Sequence, residues 1–176
     1  MEEDMVRLGL IAAGFAISAL FVTSAWADAK SDYFREVERQ AKAAAPMTSQ
    51  SLRELYAGRS WIWDNGAGYF SQDGRRFAAW SQKGAYWSYA KGHWYTTDSG
   101  KVCMRALWIT KMHMAPKTTC FVHREKGGVI YQKPSLGGKW YIFRNNPSRS
   151  DDASRKLRQG DLVQKHVQRL EAERWP

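Results

Sequence analysis

Between Arg59 and Arg144 the chain is broken by turn signals so closely spaced that only short antiparallel strands fit between them. Asn65-Gly66 and Asp73-Gly74 are dipeptides that suit two-residue hairpin loops, which need positive φ. Lys83-Gly84, Lys91-Gly92, Asp98-Ser99-Gly100, Lys126-Gly127-Gly128 and the stretch from Pro134 to Gly138 mark further breaks. The intervening runs are rich in aromatic and β-branched residues: Arg59–Asp64, Ala67–Gln72, Arg75–Ser81, Ala85–Ala90, Gly92–Thr97, Lys101–Ile109, Thr118–Glu125, Val129–Lys133 and Lys139–Arg144. Eight or nine strands joined by hairpin-length turns have one economical arrangement. The fold class is mainly β: an antiparallel up-and-down meander of 8–9 short strands, strongly curved or closed into a small barrel.

Helical patterns flank this region. Phe34, Val37, Ala41 and Ala44 share a face over Lys30–Ala45, and Pro46 stops that helix. A second helix is predicted from Thr48 to Ala57, with Ser51 and Glu54 as a capping pair and Gly58 as its C-terminal glycine. Asn145 to Gln159 is polar and reads as loop. Asp161 can cap a last helix, Leu162 to Trp175, whose apolar face is Leu162, Val163, Val167 and Leu170.

Leu8 to Val22 is an apolar run of 15 residues, short of the roughly 20 that span a bilayer. Arg7 precedes it and Ala25-Trp26-Ala27 follows, a small-x-small cleavage pattern. Residues 1–27 therefore read as a signal peptide, although Glu2, Glu3 and Asp4 are out of place in one. Translation from Met5 would supply an ordinary start. The expected organisation is 1–27 signal peptide, 28–58 helical segment, 59–144 β domain, and 145–176 loop and helix, with no membrane span after cleavage. The expected location is periplasmic or secreted.

Cleavage removes three acids and one arginine from a chain of net charge +10, leaving +12. An exported domain of that charge suits anionic surroundings: acidic polysaccharide, cell-wall polymer or lipid head groups. Export sets nucleic acid aside as the natural partner. An oxidising compartment also favours joining the two cysteines, Cys103 and Cys120. If they face each other, the antiparallel ladder pairs Arg105 with Thr118 and Lys101 with Val122. Val102, Met104, Ala106, Trp108, Thr119 and Phe121 then share the opposite, core-facing side.

A set of motifs runs through the chain, opening with Leu55-Tyr56-Ala57-Gly58-Arg59-Ser60-Trp61-Ile62-Trp63. It continues through Gly66-Ala67-Gly68-Tyr69-Phe70, Arg76-Phe77-x-Ala79-Trp80 and Gly92-x-Trp94. Ser99-Gly100-Lys101-x-Cys103, Thr119-Cys120-Phe121-x-His123 and Gly138-x-Trp140-Tyr141-x-Phe143 complete it. Together these motifs resemble a bacterial family of exported proteins known as domain of unknown function 995. The resemblance covers about residues 52–144 and implies an envelope protein; it carries over no activity and no catalytic residue.

The β region holds 14 Lys and Arg against four acids, Asp64, Asp73, Asp98 and Glu125. Three of the four sit in or beside turns, which leaves too few carboxylates for a paired-acid glycosidase. His123 and Glu125, two apart on one strand, share a face and could form an acid–base unit; with no nucleophile placed beside them they read as an exposed polar pair. Met112-His113-Met114, with Met104 and His123, has the donor chemistry of a copper site. It is a single cluster, and no metal or cofactor is expected.

Seventeen of these 86 residues are Trp, Tyr or Phe, more than one sheet can bury. Aromatics beside lysines suit sugar faces and extended anionic polymers, by stacking and cation–π contact. The densest cluster is Lys83, Tyr86, Trp87, Tyr89, Lys91, His93, Trp94 and Tyr95, the predicted binding surface. The expected function is a non-enzymatic envelope module binding an anionic glycan or lipid head group. The alternatives are a small-ligand carrier with a barrel pocket, which a filled interior would exclude, and an envelope hydrolase.

Overall fold

The structure, a computed structural model, describes residues 20–73 and 75–174. Helix α1 (Leu20–Lys42) leads into a two-residue strand β1 (Ala45–Pro46) and helix α2 (Ser49–Tyr56). The meander follows as β2 (Arg59–Trp63), β3 (Gly66–Phe70), β4 (Arg76–Lys83), β5 (Tyr86–Thr96), β6 (Lys101–Thr110), β7 (Met114–Lys126), β8 (Val129–Pro134) and β9 (Tyr141–Arg144). A 3₁₀ turn (Ala153–Lys156), strand β10 (Leu157–Gln159) and helix α3 (Gln164–Arg174) complete the chain. The segment read as a signal peptide falls mostly on residues 1–19, outside the described residues. Among the described residues no helix is long and apolar enough to cross a membrane.

The sheet runs β10-β2-β3-β4-β5-β6-β7-β8-β9, antiparallel throughout, with β1 added beside β7. It is the expected meander, curled into a half-barrel whose edge strands β10 and β9 do not pair. Two expectations need correction. Lys91-Gly92 is not a turn: β5 runs through it, and Lys91 and Gly92 pair on both sides with β4 and β6. Glycine is there because a Cβ at Gly92 would lie 2.1 Å from the carbonyl oxygen of Arg105. The tail from Asn145 is not plain loop either. Asp152 is buried and accepts hydrogen bonds from the Asn145 and Arg149 amides, the Asn145 side chain and the Ser148 hydroxyl. That knot sets up the 3₁₀ turn and hands the chain to β10.

Helix caps are local and legible. Thr48, rather than the Ser51–Glu54 pair, caps α2 by accepting from the Ser51 amide at 3.1 Å. Asp161 caps α3 through the amides of Val163 and Gln164, both at 2.9 Å. Leu162, placed on the apolar face by its spacing, is exposed just before the helix.

Alternation divides the sheet into two faces. The concave face contributes Phe70, Phe77, Ala79, Ala90, Trp94, Val102 and Phe143 to a core that α2 plugs from one end with Leu52, Leu55 and Tyr56. On the convex face α3 lays Val163, Val167 and Leu170 over Ala67, Tyr89 and Ile109. Helix α1 lays Val37, Ala41 and Ala44 over Tyr131 and Trp140. Cys103 and Cys120 are joined, with Cα atoms 4.1 Å apart. Their register pairs Arg105 with Thr118 and Lys101 with Val122, as their spacing predicts.

Candidate functional site

The concave face does not fill itself. A cavity of about 210 Å³ lies inside the curl. Its floor, against α2, is made by Tyr56, Phe70, Val102 and Gln132, all buried. Its outer part is made by Trp63, Met104, Trp108 and Thr119, all partly exposed. The cavity therefore opens at the end opposite α2. Gly68 and Ala106 create its width, because a larger side chain at either position would project into it. The β6–β7 register that follows from the disulfide is what turns Met104, Ala106, Trp108, Thr119 and Phe121 inward together.

Among the described residues no Asp, Glu, Lys, Arg or His lines this cavity. Two of the floor residues, Tyr56 and Gln132, belong to a hydrogen-bonded quartet. Tyr56 Oη is 2.8 Å from His123 Nε2, and Gln132 Nε2 donates to Tyr56 Oη at 2.8 Å. Gln132 also contacts His123 Nε2, and Tyr141 donates to the Gln132 carbonyl oxygen. The members come from α2, β7, β8 and β9, so the sheet pairing assembles them. Donors from Tyr56 and Gln132 both point at Nε2, which places the proton of neutral His123 on Nδ1. Nδ1 has no well-aligned hydrogen-bond partner.

Burial sets the chemistry of the quartet. Desolvation lowers His123 to about 4, against a smaller opposing pull from the backbone carbonyls of Gly100 and Phe121. Burial also pushes Tyr141 up to about 12 and raises Tyr56 well above the usual phenol range. All four groups are neutral near pH 7. They form a polar floor that can exchange hydrogen bonds with a guest.

The reading of His123 and Glu125 as an exposed polar pair is corrected by this arrangement. His123 is fully buried rather than exposed, because β7 runs on past the β5–β6 turn and β8 and α2 close over it. Glu125 does share its face, but lies in a separate shallow hollow with Glu54, Arg59 and Arg144. The Met112-His113-Met114 segment is the exposed tip between β6 and β7, whereas Met104 lines the cavity and His123 lies under it. Among the described residues no three His, Cys, Asp or Glu side chains gather as a metal site.

The predicted aromatic–basic cluster is divided between the faces. Trp94 is core on the concave side, its ring against Phe70. Tyr89 is buried under α3, with Trp87 stacked on it at 6.2 Å and half-buried. Trp94 and Tyr89 are packing residues, which corrects their place in a binding surface, while Trp87 keeps part of its ring exposed. Tyr86, Tyr95, Lys83, Lys91 and His93 are exposed, and Lys91 is ion-paired with Glu171. Sequence reasoning missed Tyr56, Gln132 and Tyr141. What signal there was lay in two polar side chains, Gln132 and Tyr141, placed on strands expected to be buried.

The family model described as "Protein of unknown function (DUF995)" matches residues 18–163. The chain belongs to this family. No curated protein and no solved structure matches it. The DUF995 span takes in every strand and α2 and ends as α3 begins, so the cavity and its polar floor lie wholly inside it.

Proposed function

We propose that this DUF995 protein works outside the cytoplasm as a binder of a small, neutral, apolar molecule held inside the half-barrel. The observation that carries the reading is the cavity: aromatic and methionine walls, one open end, no charged lining group and a polar floor. A dry apolar cavity of about 150 Å³ already holds benzene, so about 210 Å³ suits a guest of about eight to ten heavy atoms. A hydroxyl or carbonyl on the guest would find Tyr56 or Gln132. The neutral lining disfavours a free carboxylate or ammonium, whose desolvation nothing would offset.

The test is titration with naphthalene and with 1-octanol, read by tryptophan fluorescence, since Trp61, Trp63 and Trp108 line the cavity. Saturable change in the parent, lost in Ala106→Phe with the far-UV circular dichroism unchanged, is the expected result. Absence of saturable change with both probes would overturn the reading.

A second reading keeps the basic surface for an anionic envelope polymer. It is favoured by one row on the convex face, where Arg76, His93 and Arg105 lie side by side across β4, β5 and β6. Tyr95, two residues from His93 on β5, is exposed nearby. Binding of an acidic polysaccharide that weakens with salt and with Arg105→Glu would support it.

A further inference from the structure

The cavity opens toward the end of the curl where the β2–β3, β4–β5 and β6–β7 turns project. Two of these ribbons reach beyond the last cavity residues. The β4–β5 pairing continues to Lys83 opposite Tyr86, and the β6–β7 pairing to Ile109 opposite Met114. Exposed hairpin tips usually carry small polar residues. These carry Tyr86, Met112 and Met114, which are 86%, 77% and 58% exposed. Lys83 and Lys111 are exposed at the tips, and Lys117 is exposed three residues along β7 from Met114, opposite Ala106. No acid occurs from Arg75 to Thr97 or from Ser99 to Arg124, so neither ribbon bears a carboxylate; the acids near this end are Asp64 on the β2–β3 turn, Asp151 beside it in a hollow with Arg155, Lys156 and Arg158, and Glu173, which is ion-paired with Arg169.

Apolar side chains on protruding tips, ringed by lysines and placed around the mouth of an apolar cavity, match one kind of surface. Tyrosine favours the head-group layer of a bilayer, and methionine is a pliant apolar side chain. Lysines near an anionic leaflet add an attraction that salt screens. We infer that this rim docks on an anionic phospholipid bilayer and seats Tyr86, Met112 and Met114 in its interfacial layer. The cavity mouth then faces the membrane, and an apolar guest passes between bilayer and cavity without crossing water. The transfer role rests on the binding reading above; the docking does not.

The experiment is co-sedimentation with vesicles of phosphatidylglycerol and phosphatidylcholine in equal parts, against phosphatidylcholine alone, at 50 and 500 mM salt. Anionic vesicles should bind the protein at low salt and lose it at least tenfold at high salt; neutral vesicles should bind it weakly. Tyr86→Ser, Met112→Ser and Met114→Ser combined should weaken binding about tenfold. Lys83→Glu, Lys111→Glu and Lys117→Glu combined should abolish it. These positions are exposed, and unchanged far-UV circular dichroism verifies that each variant is folded. Ala106→Phe should bind vesicles like the parent even if it loses naphthalene, which separates docking from cavity binding. No sedimentation at low salt would overturn the inference, as would equal binding of neutral vesicles. So would the serine variant binding like the parent, since the attraction would then be charge alone.

Discussion

The indole of Trp61 on β2 stacks on the ring of Phe143 on β9, with centroids 5.5 Å apart and planes 17° apart. These strands lie near opposite ends of the sheet order and share no hydrogen bonds. The stack is a contact of the curled sheet with itself, and Trp61 also faces Phe121 at 6.5 Å. Because the edges do not pair, ring packing takes the place of a strand ladder in holding the curl. A double-mutant cycle on Trp61→Leu and Phe143→Leu should return a coupling of about 1 kcal/mol in urea unfolding. A coupling near zero would mean the curl is held by the 3₁₀ turn and β10 instead.

His123 makes stability depend on pH in a defined window. Its folded value of about 4 lies below the ordinary 6.5, so as pH falls the unfolded chain takes up the proton first. The native state therefore keeps its full margin at pH 7 and loses stability between about pH 6.5 and 4. Across that window the loss is about 3 kcal/mol, at about 1.4 kcal/mol per pH unit. Urea midpoints at pH 7.0 and 4.5 should differ strongly in the parent and much less in His123→Gln. An equal difference in both would assign the pH dependence to other groups.

What could be read in the chain alone followed from local chemistry. The turn dipeptides located most strands, and the spacing of Cys103 and Cys120 turned Met104, Trp108 and Phe121 inward together, which already outlines one wall of the cavity. The burial of His123 was not readable, because it depends on β8, β9 and α2 arriving over β7 from 9 to 67 residues away. The same limit misplaced Trp94 and Tyr89. Alternation assigns neighbours to opposite faces but does not say that both faces are covered, and here α3 covers one and the curl encloses the other.

Gly92 should be the least replaceable glycine of the sheet. A methyl group there would sit 2.1 Å from the Arg105 carbonyl oxygen and 2.5 Å from the Ala106 Cα, and both are backbone atoms that cannot swing away. Gly92→Ala must push β5 from β6 at the centre of the sheet. A loss of about 1–3 kcal/mol, as for an overpacked core, is expected in urea unfolding. Gly84→Ala, at a turn where a Cβ meets nothing within 4 Å, is the control; its positive φ of 59° carries a strain cost of its own, about 1–2 kcal/mol. Gly92 has no positive φ of its own, so a loss well under 1 kcal/mol in Gly92→Ala would mean that β5 and β6 part without the cost of overpacking.

The disulfide closes a loop of 17 residues within a ladder that pairs from Lys101–Val122 to Ile109–Met114. Its main effect is therefore on the unfolded chain, which it keeps from separating β6 from β7. Reduction should lower unfolding free energy by about 3 kcal/mol. The folded register should survive, because Val102, Ala106 and Ile109 remain buried on either side of the sheet and a slip of one residue would turn each outward. Dithiothreitol should thus lower the urea midpoint while leaving naphthalene binding at low denaturant intact. Cys103→Ala with Cys120→Ala should reproduce the reduced protein. Loss of naphthalene binding on reduction, with the far-UV spectrum unchanged, would show instead that the bridge is needed to hold Met104 and Thr119 in the cavity wall.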